Sequence, residues 1–539
     1  MAYAVILIVA ASLLLFANTV THPFLYDDHV LIVGNKKLGS PEYLSSIFNS
    51  SFQYDVPRLD YSAFQIDYYR PFIRLLFWCI YQVGGLNSKF WHLSNIILFS
   101  IVSVLVWALI YKLSNNLGLS TVSGLLFVVH PIHTEAVAYV NSLVETLHAI
   151  FFLSALLLYL GARETTSADR SRQIVLYLGA LFLFEAALLT KEAALCFPMV
   201  IVALELSFCS GNWRECLVLV IKRTSLFLLP LAGYFALRYM TYGNLMRLRS
   251  GMPIWQVLIN IPQAIFNYLK MLVYPVSLTM LNSIKIIDSI INPYFIIPSL
   301  LLLTVTLLLL IYSSRRTFFY WAFFIITLTP VLHLGIFSED RMLQHRYAFL
   351  ASVGFCALVG TLFDKLLAKS RVTYAVLSAV IIFLSIQTYK QNSYWRSEYV
   401  LYQREYALAP NSDFAACAYA SQLLLAGQVQ EAARLFTHVI EKIKPDSDFA
   451  HFGMASYYMM KGDYEQAAYF YERTIELQQG HRRDLYIYLA ECYKRLGNRE
   501  RAIQLLEELV KSNPDYLEAK FALAELMAAD ASFGGSYAN

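Results

Sequence analysis

The chain has 539 residues, of which 58% are hydrophobic and only 15% are charged, and its mean hydropathy is +0.50. A soluble protein of this length does not carry so large an apolar fraction, so the composition excludes an ordinary soluble protein and indicates that a bilayer is part of the solvent. The formal net charge is only +4 and its basic residues are spread over many short segments, which argues against nucleic acid as a partner.

Eleven segments are long and apolar enough to cross a bilayer as helices, since roughly 20 such residues are needed. They are 2–20, 90–111, 119–133, 143–161, 174–190, 193–209, 224–241, 293–312, 317–336, 347–366 and 372–389. Two further apolar pieces, 72–85 and 256–275, contain Arg74, Pro262 and Lys270, which favours helices that lie at the membrane interface.

The bias of Lys and Arg in the short loops predicts that the N-terminus is cytoplasmic. The first apolar segment has no small-residue cleavage site after it, so we expect it to stay as an anchor. With eleven crossings, the C-terminal part of the chain emerges on the non-cytoplasmic side. The same side receives the loops 21–89, 130–142, 191–192, 242–292 and 337–346.

The charges divide the chain near residue 395. Residues 396–539 hold 15 Lys and Arg against 20 Asp and Glu, a net charge of −5 and a density typical of soluble domains. The preceding part holds 27 and 18, a net charge of +9. We therefore predict a membrane domain, residues 1–392, followed by a soluble domain, residues 393–539.

The soluble part is an internal repeat with a period of 35 residues. Glycines recur at that interval, as do alanines five residues after each glycine: Gly427, Gly462, Gly497, Ala432, Ala467 and Ala502. This pattern resembles the tetratricopeptide repeat, a pair of helices joined by a Gly-centred turn. It predicts repeats at about 411–445, 446–480 and 481–514 and a capping helix at 515–529, with a groove for a protein partner or, alternatively, a purely structural spacer.

The seven cysteines are scattered and none of them forms a CxxC pair. The spacing therefore indicates neither a zinc site nor a disulfide framework.

Polar and charged side chains gather in the segments that the topology assigns to the outer face. The candidates for a site are Asp27, Asp28, Arg70, His92, Asn95, His130, His133, Glu135, Lys191, Glu192, Arg238, Arg341, His345 and Arg346. Each has a structural alternative: the aspartates a solvated turn, the two histidines of HPIHTEAVA a metal site or buried hydrogen bonds, and Lys191-Glu192 an interfacial ion pair. Because charge buried at a membrane face is costly, their gathering predicts a shared polar cavity.

The order of motifs carries a family resemblance. FLYDDHVLIVGN, YYRPF, WHLSN, HPIHTEAVA, LLTKEAA and HRYAFLAS, followed by the repeats, resemble the GT-C superfamily of lipid-phosphate-sugar-dependent glycosyltransferases. They are most similar to the transmembrane and tetratricopeptide-repeat O-mannosyltransferases and their prokaryotic relatives. One departure is RMLQHRYAFLAS, where the acidic pair Glu339-Asp340 is displaced upstream of the position usual in the family.

The resemblance implies an all-α fold and transfer of a sugar from a polyprenyl-phosphate carrier to an acceptor hydroxyl, with inversion. A carboxylate must then accept the hydroxyl proton. Adjacent residues of an extended loop point in opposite directions, so one aspartate reaches the acceptor while the other holds the loop. We favour Asp27 as the base and Asp28 as the second residue, and the sequence leaves the choice open.

The leaving phosphate requires cations, for which Arg346, Arg341 and Arg238 are the first candidates, with Lys191 and His345 as accessories. Groups that bind sugar hydroxyls are expected at Glu135, His133 and Asn95. The remaining donor-site candidates are Arg70, His92, His130 and Glu192. A divalent cation, Mg²⁺ or Mn²⁺, on either aspartate is compatible with the sequence, which indicates no other cofactor.

Two other functions fit part of the pattern. An oligosaccharide ligase that joins a lipid-linked glycan to protein or lipid would keep the base and the phosphate site. In a non-catalytic scaffold the repeats would recruit partners and the acidic loop would be structural. A transporter would place ionisable groups near mid-membrane, which this chain does not. We expect the inner membrane of a prokaryote with periplasmic repeats, or the endoplasmic reticulum membrane in a eukaryote.

Overall fold

A computed structural model describes residues 1–50, 68–165, 169–243, 252–332, 334, 342–478, 482–514 and 516–534. These residues form helices and connecting segments, and no strand occurs among them, as the all-α prediction requires. The chain divides into two compact units, the first ending at Ser397 and the second beginning at Glu398. The charge pattern had predicted a boundary at 392/393.

The first unit contains sixteen α-helices within the described residues. They are α1 (Ala2–Phe16), α2 (Pro41–Ser46), α3 (Pro71–Gly84), α4 (Ser88–Ser114), α5 (Leu117–Val129), α6 (Thr134–Ala138), α7 (Leu143–Glu164), α8 (Arg170–Leu188), α9 (Phe197–Phe208), α10 (Trp213–Thr224), α11 (Leu228–Tyr242), α12 (Ile254–Val273), α13 (Pro293–Tyr312), α14 (Arg315–Leu328), α15 (Ser352–Leu367) and α16 (Val372–Tyr394).

Seven helical stretches in the described part of the chain are long and apolar enough to cross a membrane, and the bent pair of α5 with Pro131–Ala138 is an eighth. Three other predicted spans, 193–209, 317–336 and 347–366, contain the shorter helices α9, α14 and α15, of 12, 14 and 16 residues. At 1.5 Å per residue, none of these three covers the roughly 30 Å of hydrocarbon as a straight helix.

The short helices are extended by tighter turns at one end of the unit. A 3-10 turn, Glu192–Cys196, precedes α9, another, Thr329–Val331, follows α14, and a third, His345–Ala348, precedes α15. At α5 the cause is visible in the sequence, because Pro131 disfavours helical backbone at His130, which is extended (φ −75°, ψ 124°). Backbone that is not regular α-helix is therefore concentrated at the end of the unit where these turns lie.

Contacts show which chain segments share that end. The amide of Asn392, near the end of α16, donates to the carbonyl of Leu15 in α1 at 3.1 Å. The ring of Trp395 stacks on that of Tyr139, 5.5 Å between centroids. The segment that leads to the second unit thus starts at the same end of the first unit as the segment that follows α1.

At the opposite end, Asn116 donates to Asp364 at 3.0 Å, and a disulfide joins Cys209 to Cys216. The prediction that the cysteines indicate no disulfide was wrong. Cys209 directly follows α9 and Cys216, seven residues later, lies in α10, so only the turn between these helices brings them within bonding distance.

Helices α3 and α12 are not among the candidate spans, and their interfacial position stays a prediction. Arg74 of α3 interrupts an apolar run in the sequence, and the structure gives its reason. Its guanidinium is buried and donates to the carbonyls of Ser46, Ile47 and Ser50 at 3.0–3.2 Å. These carbonyls lie at the end of α2 and in the turn that follows it, so Arg74 caps that helix and anchors the first loop.

The second unit contains eight α-helices within the described residues. They are α17 (Glu398–Leu408), α18 (Asp413–Leu425), α19 (Val429–His438), α20 (Asp448–Lys461), α21 (Tyr464–Leu477), α22 (Asp484–Arg495), α23 (Arg499–Ser512) and α24 (Leu517–Gly534). Gly427, Gly462 and Gly497 separate the helices of three pairs and have φ of 78°, 75° and 79°. This is the helix–turn–helix repeat that the 35-residue period predicted.

Candidate active site

The acid loop, residues 22–28, follows the first membrane helix. Tyr26 has a positive φ of 53°, an uncommon conformation for a non-glycine residue. Asp28 is buried, and its two carboxylate oxygens accept the backbone N–H groups of Leu25, at 3.1 Å, and Asn141, at 2.8 Å. Asp27 is half-buried. Asp28 thus ties the loop to the segment between α6 and α7.

The environment of Asp28 suits a structural carboxyl. Burial raises its pKa well above the usual range, and the backbone N–H groups of Leu25 and Asn141 act in the opposite direction. The negative charge of Asp27 adds a smaller upward effect. These contacts give Asp28 the loop-holding position that the sequence had left open between the two aspartates.

A second cluster is built around Glu135 of α6, which is buried. The backbone N–H of Arg346 donates to Glu135 Oε2 at 3.1 Å, and the Arg346 guanidinium forms an ion pair with Oε1 at 3.4 Å. His345 Nδ1 lies 3.3 Å from Oε2 of the same carboxylate. The HPIHTEAVA and HRYAFLAS motifs, more than 200 residues apart, are therefore in direct contact.

Lys191 does not pair with its neighbour Glu192, which was the structural alternative for these two residues. Lys191 Nζ contacts both carboxylate oxygens of Glu145 in α7, at 2.5 and 2.7 Å. Glu192 instead accepts from Arg70 at 2.8 and 3.0 Å. Burial lowers the pKa of Lys191, and the charge of Glu145 opposes that shift.

Aromatic rings join these ion pairs into one site. Lys191 Nζ lies 5.2 Å from the ring centroid of Tyr347, and the Arg346 guanidinium carbon lies 5.5 Å from it. The Arg70 guanidinium lies 4.0 Å from the ring of Tyr68. Two cations thus lie beside Tyr347, and a third lies beside Tyr68. Burial raises the pKa of Tyr347 to about 12, so its hydroxyl stays protonated at neutral pH.

Tyr139 connects the acid loop to these cations. The Arg346 guanidinium carbon is 5.6 Å from its ring centroid, and the ring of Tyr26 is 6.3 Å away. Asp27 and Asp28 both lie within electrostatic range of the Tyr139 hydroxyl. The predicted base and the predicted phosphate ligand Arg346 are therefore neighbours of one side chain.

Arg238 lies at the edge of this group. Its side chain is buried in α11, with its guanidinium 5.4 Å from the ring centroid of Tyr242. Arg238, Arg70 and Glu192 all lie within electrostatic range of Tyr234 on the same helix. Arg238 and the Arg70–Glu192 pair are therefore in the surroundings of one side chain, Tyr234.

The remaining predicted residues bond within the fold. Asn95 donates to the carbonyls of Ala136 and Val137, both at 2.9 Å, and so positions α6. His92 Nε2 lies 3.5 Å from the carbonyl of Pro23 in the acid loop. Both residues support the segments that carry Glu135 and the aspartates.

The two histidines of HPIHTEAVA are also engaged. His130 Nε2 donates to the carbonyl of Leu272 at 2.8 Å, while Nδ1 accepts from the backbone N–H of Ile132. His133 Nε2 lies 2.8 Å from the hydroxyl of Ser352, which itself donates to a carbonyl, so the histidine is the donor. These contacts match the structural alternative of buried hydrogen bonds.

Arg341, Glu339 and Asp340 lie outside the described residues. Among the residues that are described, no three His, Cys, Asp or Glu side chains come together as a metal site. A cation on Asp27 or Asp28 would take its other ligands from substrate or solvent, and its presence stays a prediction.

Sequence reasoning missed Glu145, Tyr68, Tyr139 and Tyr347. Glu145 carried a usable signal, since an acidic residue at the start of a spanning helix needs a cation. The tyrosines had none, because the chain contains 38 of them and their positions follow no spacing that singles these out.

The arrangement defines a class of protein: a helical membrane protein with a charged site at one end of its spans and a tetratricopeptide-repeat domain. A family model described as tetratricopeptide repeat matches residues 458–529. The chain is 24% identical to a protein O-mannosyl-transferase of Caenorhabditis elegans over 416 residues, which cover 76% of this chain and 58% of that protein. It is 26% identical to protein O-mannosyl-transferase TMTC3 of Homo sapiens over 436 residues, covering 74% and 46%.

A shorter match, 36% identical over 151 residues, is to protein O-mannosyl-transferase tmtc2 of Xenopus laevis and covers 28% of this chain and 18% of that one. Among solved structures, ArnT from Cupriavidus metallidurans bound to undecaprenyl phosphate aligns with a TM-score of 0.44 and 13% identity, over 94% of this chain and 80% of that one. The chain spans about half the length of the first two relatives. The chain is thus similar to proteins named O-mannosyl-transferases, which confirms the resemblance carried by its motifs.

Proposed function

We propose that the chain is an integral membrane glycosyltransferase that moves a sugar, mannose or another hexose, from a polyprenyl-phosphate donor to Ser and Thr hydroxyls of proteins. The observation that carries the proposal is the contact of Tyr139 with both the acid loop, through Tyr26, and the cation group, through Arg346. A loop with a group that can take up a proton and a group that can hold an anion are therefore neighbours of one residue. Homology to proteins named O-mannosyl-transferases supports the same reaction.

In this reaction the acceptor hydroxyl oxygen attacks the anomeric carbon of the sugar, and the bond from that carbon to the phosphate oxygen breaks. The hydroxyl proton passes to the Asp27 carboxylate, and polyprenyl phosphate leaves with the electron pair of the broken bond. Attack from the face opposite the phosphate inverts the anomeric carbon. Asp28 keeps the loop in place through its two backbone hydrogen bonds.

The leaving phosphate is stabilised by Arg346, Lys191 and Arg70, with Arg238 at the edge of the group. Each of the first three is already paired with a glutamate, so the cations are fixed in position before the donor binds. Fixed charges aimed at developing negative charge stabilise a transition state more than mobile ones do. Tyr347 and Tyr68 lie beside these cations and add hydroxyl groups.

The polyprenyl chain stays in the bilayer, and the protein acceptor is held by the repeat domain. Repeat arrays of this kind commonly present a groove to a protein segment. We assign the site and the repeats to the non-cytoplasmic side, which is the periplasm in a prokaryote or the lumen of the endoplasmic reticulum in a eukaryote.

The test uses the full-length protein in nanodiscs, radiolabelled polyprenyl-phosphate mannose and a Ser/Thr-rich acceptor protein. Wild type should label the acceptor, and Asp27→Asn should reduce the rate by about 10²–10⁴-fold, because general-base help is of that size. Thermal unfolding of Asp27→Asn shows whether the variant folds, and the two backbone hydrogen bonds of Asp28 stay available in it.

The matched control is Glu42→Gln, which removes an exposed carboxylate from α2 in the same N-terminal loop. It should transfer at the wild-type rate. Wild-type transfer by Asp27→Asn would remove Asp27 from the chemistry. Absence of transfer by wild type from mannose and other hexose donors would overturn the proposed function.

A further inference from the structure

The hydroxyl of Tyr139 is buried without a hydrogen-bond partner among the described residues. The whole side chain is only 1% exposed. Buried hydroxyls nearly always find a partner, because an unsatisfied one loses its hydrogen bonds to water without compensation. The Tyr139 hydroxyl is an exception to this rule, and a bound ligand would supply the partner that it lacks.

The ring of Tyr139 is fixed by its neighbours. It stacks on Trp395 with an interplanar angle of 25°, and it also contacts Tyr26 and the Arg346 guanidinium. The residue follows α6 directly and is extended (φ −95°, ψ 122°). Asn141, two residues further on, holds Asp28. Packing of the ring on several sides therefore fixes the position of the hydroxyl.

The side chain of Tyr139 neighbours both groups that the reaction requires. Its ring lies 6.3 Å from that of Tyr26 in the acid loop, and the Arg346 guanidinium carbon lies 5.6 Å from its centroid. In a displacement with inversion, the acceptor hydroxyl and the leaving phosphate are on opposite faces of the sugar. If Asp27 takes the acceptor proton and Arg346 holds the phosphate, the sugar lies between two neighbours of Tyr139.

We propose that the Tyr139 hydroxyl donates a hydrogen bond to a hydroxyl of the sugar being transferred, and so positions the sugar between Asp27 and Arg346. This inference rests on the proposed function. It assigns to Tyr139 the recognition of the sugar, as distinct from the phosphate, which the cations bind.

The test measures binding and turnover separately. Dissociation constants for polyprenyl-phosphate mannose and for bare polyprenyl phosphate are measured on wild type and Tyr139→Phe in nanodiscs, with the fluorescence of Trp395 as one reporter. Phe keeps the ring and its stacking and removes only the hydroxyl. Tyr139→Phe should weaken mannose-donor binding about tenfold, the size of one lost hydrogen bond, and leave bare polyprenyl phosphate unchanged.

The same variant should transfer mannose at a lower kcat/KM than wild type. The matched control is Tyr159→Phe, which loses a hydroxyl that donates to Glu205 at 2.7 Å near the other end of α7. This control should change neither dissociation constant. Thermal unfolding of both variants shows whether they fold.

Three outcomes would overturn the inference. Equal binding of the mannose donor by wild type and Tyr139→Phe shows that the hydroxyl does not touch the sugar. An equal loss for both lipids shows that it touches the phosphate. If wild type binds neither lipid, the donor class is wrong, and the proposed function fails together with the inference.

Discussion

Three cations of the site, Lys191, Arg70 and Arg346, are each held by a carboxylate from a distant part of the chain. The most buried of these pairs is Lys191 with Glu145, whose side chains are 10% and 6% exposed. Taking two charges out of water is expensive, and only their mutual contact offsets that cost. Removing one partner leaves the other charge buried and unpaired, which is worse than removing both.

Glu145→Gln should therefore lower the free energy of unfolding by about 3–5 kcal/mol, the usual effect of breaking a buried pair. The double variant Glu145→Gln with Lys191→Met should be more stable than Glu145→Gln alone, because it leaves no unpaired charge. Thermal unfolding of the detergent-purified chain measures both effects.

The control for this pair is Lys112→Met. Lys112 pairs with Glu164, and both side chains are more than a third exposed. An exposed pair contributes about 0–1 kcal/mol, so this variant should unfold close to wild type. The double variant can lose as much free energy of unfolding as Glu145→Gln and Lys191→Met lose together when each is measured singly. In that case the two charges are not coupled, and the pair does not hold the site.

At the scale of elements, the repeat domain depends on its turns. Gly462 follows α20 with φ 75°, and an added Cβ would meet no atom within 4 Å. Any penalty of a side chain there comes from the left-handed backbone alone. By contrast, Gly453 inside α20 lies against Phe436, whose ring would be 2.1 Å from an added Cβ. The two glycines are required for different reasons.

Gly462→Ala should destabilise the repeat by about 1–2 kcal/mol, the cost of left-handed backbone for a residue with a Cβ. Gly462→Asn should cost less, because Asn tolerates this conformation at helix ends. Hydrogen exchange of the full chain, read on the amides of α20 and α21, measures the difference. Equal protection in Gly462→Ala and wild type would show that the turn does not need a glycine.

The helical elements of both units follow from sequence patterns. Apolar length predicts the spans, and the period of 35 residues predicts the pairs α18–α19, α20–α21 and α22–α23. The shortness of α9, α14 and α15 was not predicted. Their apolar composition continues into the 3-10 turns, because residues there pack against other helices as a continuing helix would.

At the scale of the whole chain, both the acid loop and the exit toward the repeats lie at one end of the membrane unit. The first loop and the second unit should then face the same compartment. Single cysteines at three exposed positions, His29, Glu465 and Lys369, can report this in a chain with Cys79→Ser.

A membrane-impermeant maleimide added to sealed vesicles should label His29→Cys and Glu465→Cys from one side and Lys369→Cys from the other. Lys369 follows α15, which runs away from the end that contains His133 and Ser352. Labelling of positions 29 and 465 from opposite sides would contradict both the shared compartment and the proposed use of the repeats to hold an acceptor.

The sequence by itself determined the composition of the two units, the spans as apolar segments, the repeats and the set of charged motifs. Those features depend on residues close together in the chain, because the length of an apolar segment and the period of a repeat are local properties of the sequence. The tertiary structure decided which charges are partners: Lys191 with Glu145, Arg70 with Glu192, and Arg346 with Glu135. It also gave Asp28 its hydrogen bonds to backbone N–H groups, and it left the Tyr139 hydroxyl without a hydrogen-bond partner in the part of the chain that the structure describes. Such contacts join residues that are tens to hundreds of positions apart, and helix packing, not local pattern, sets the distance between them.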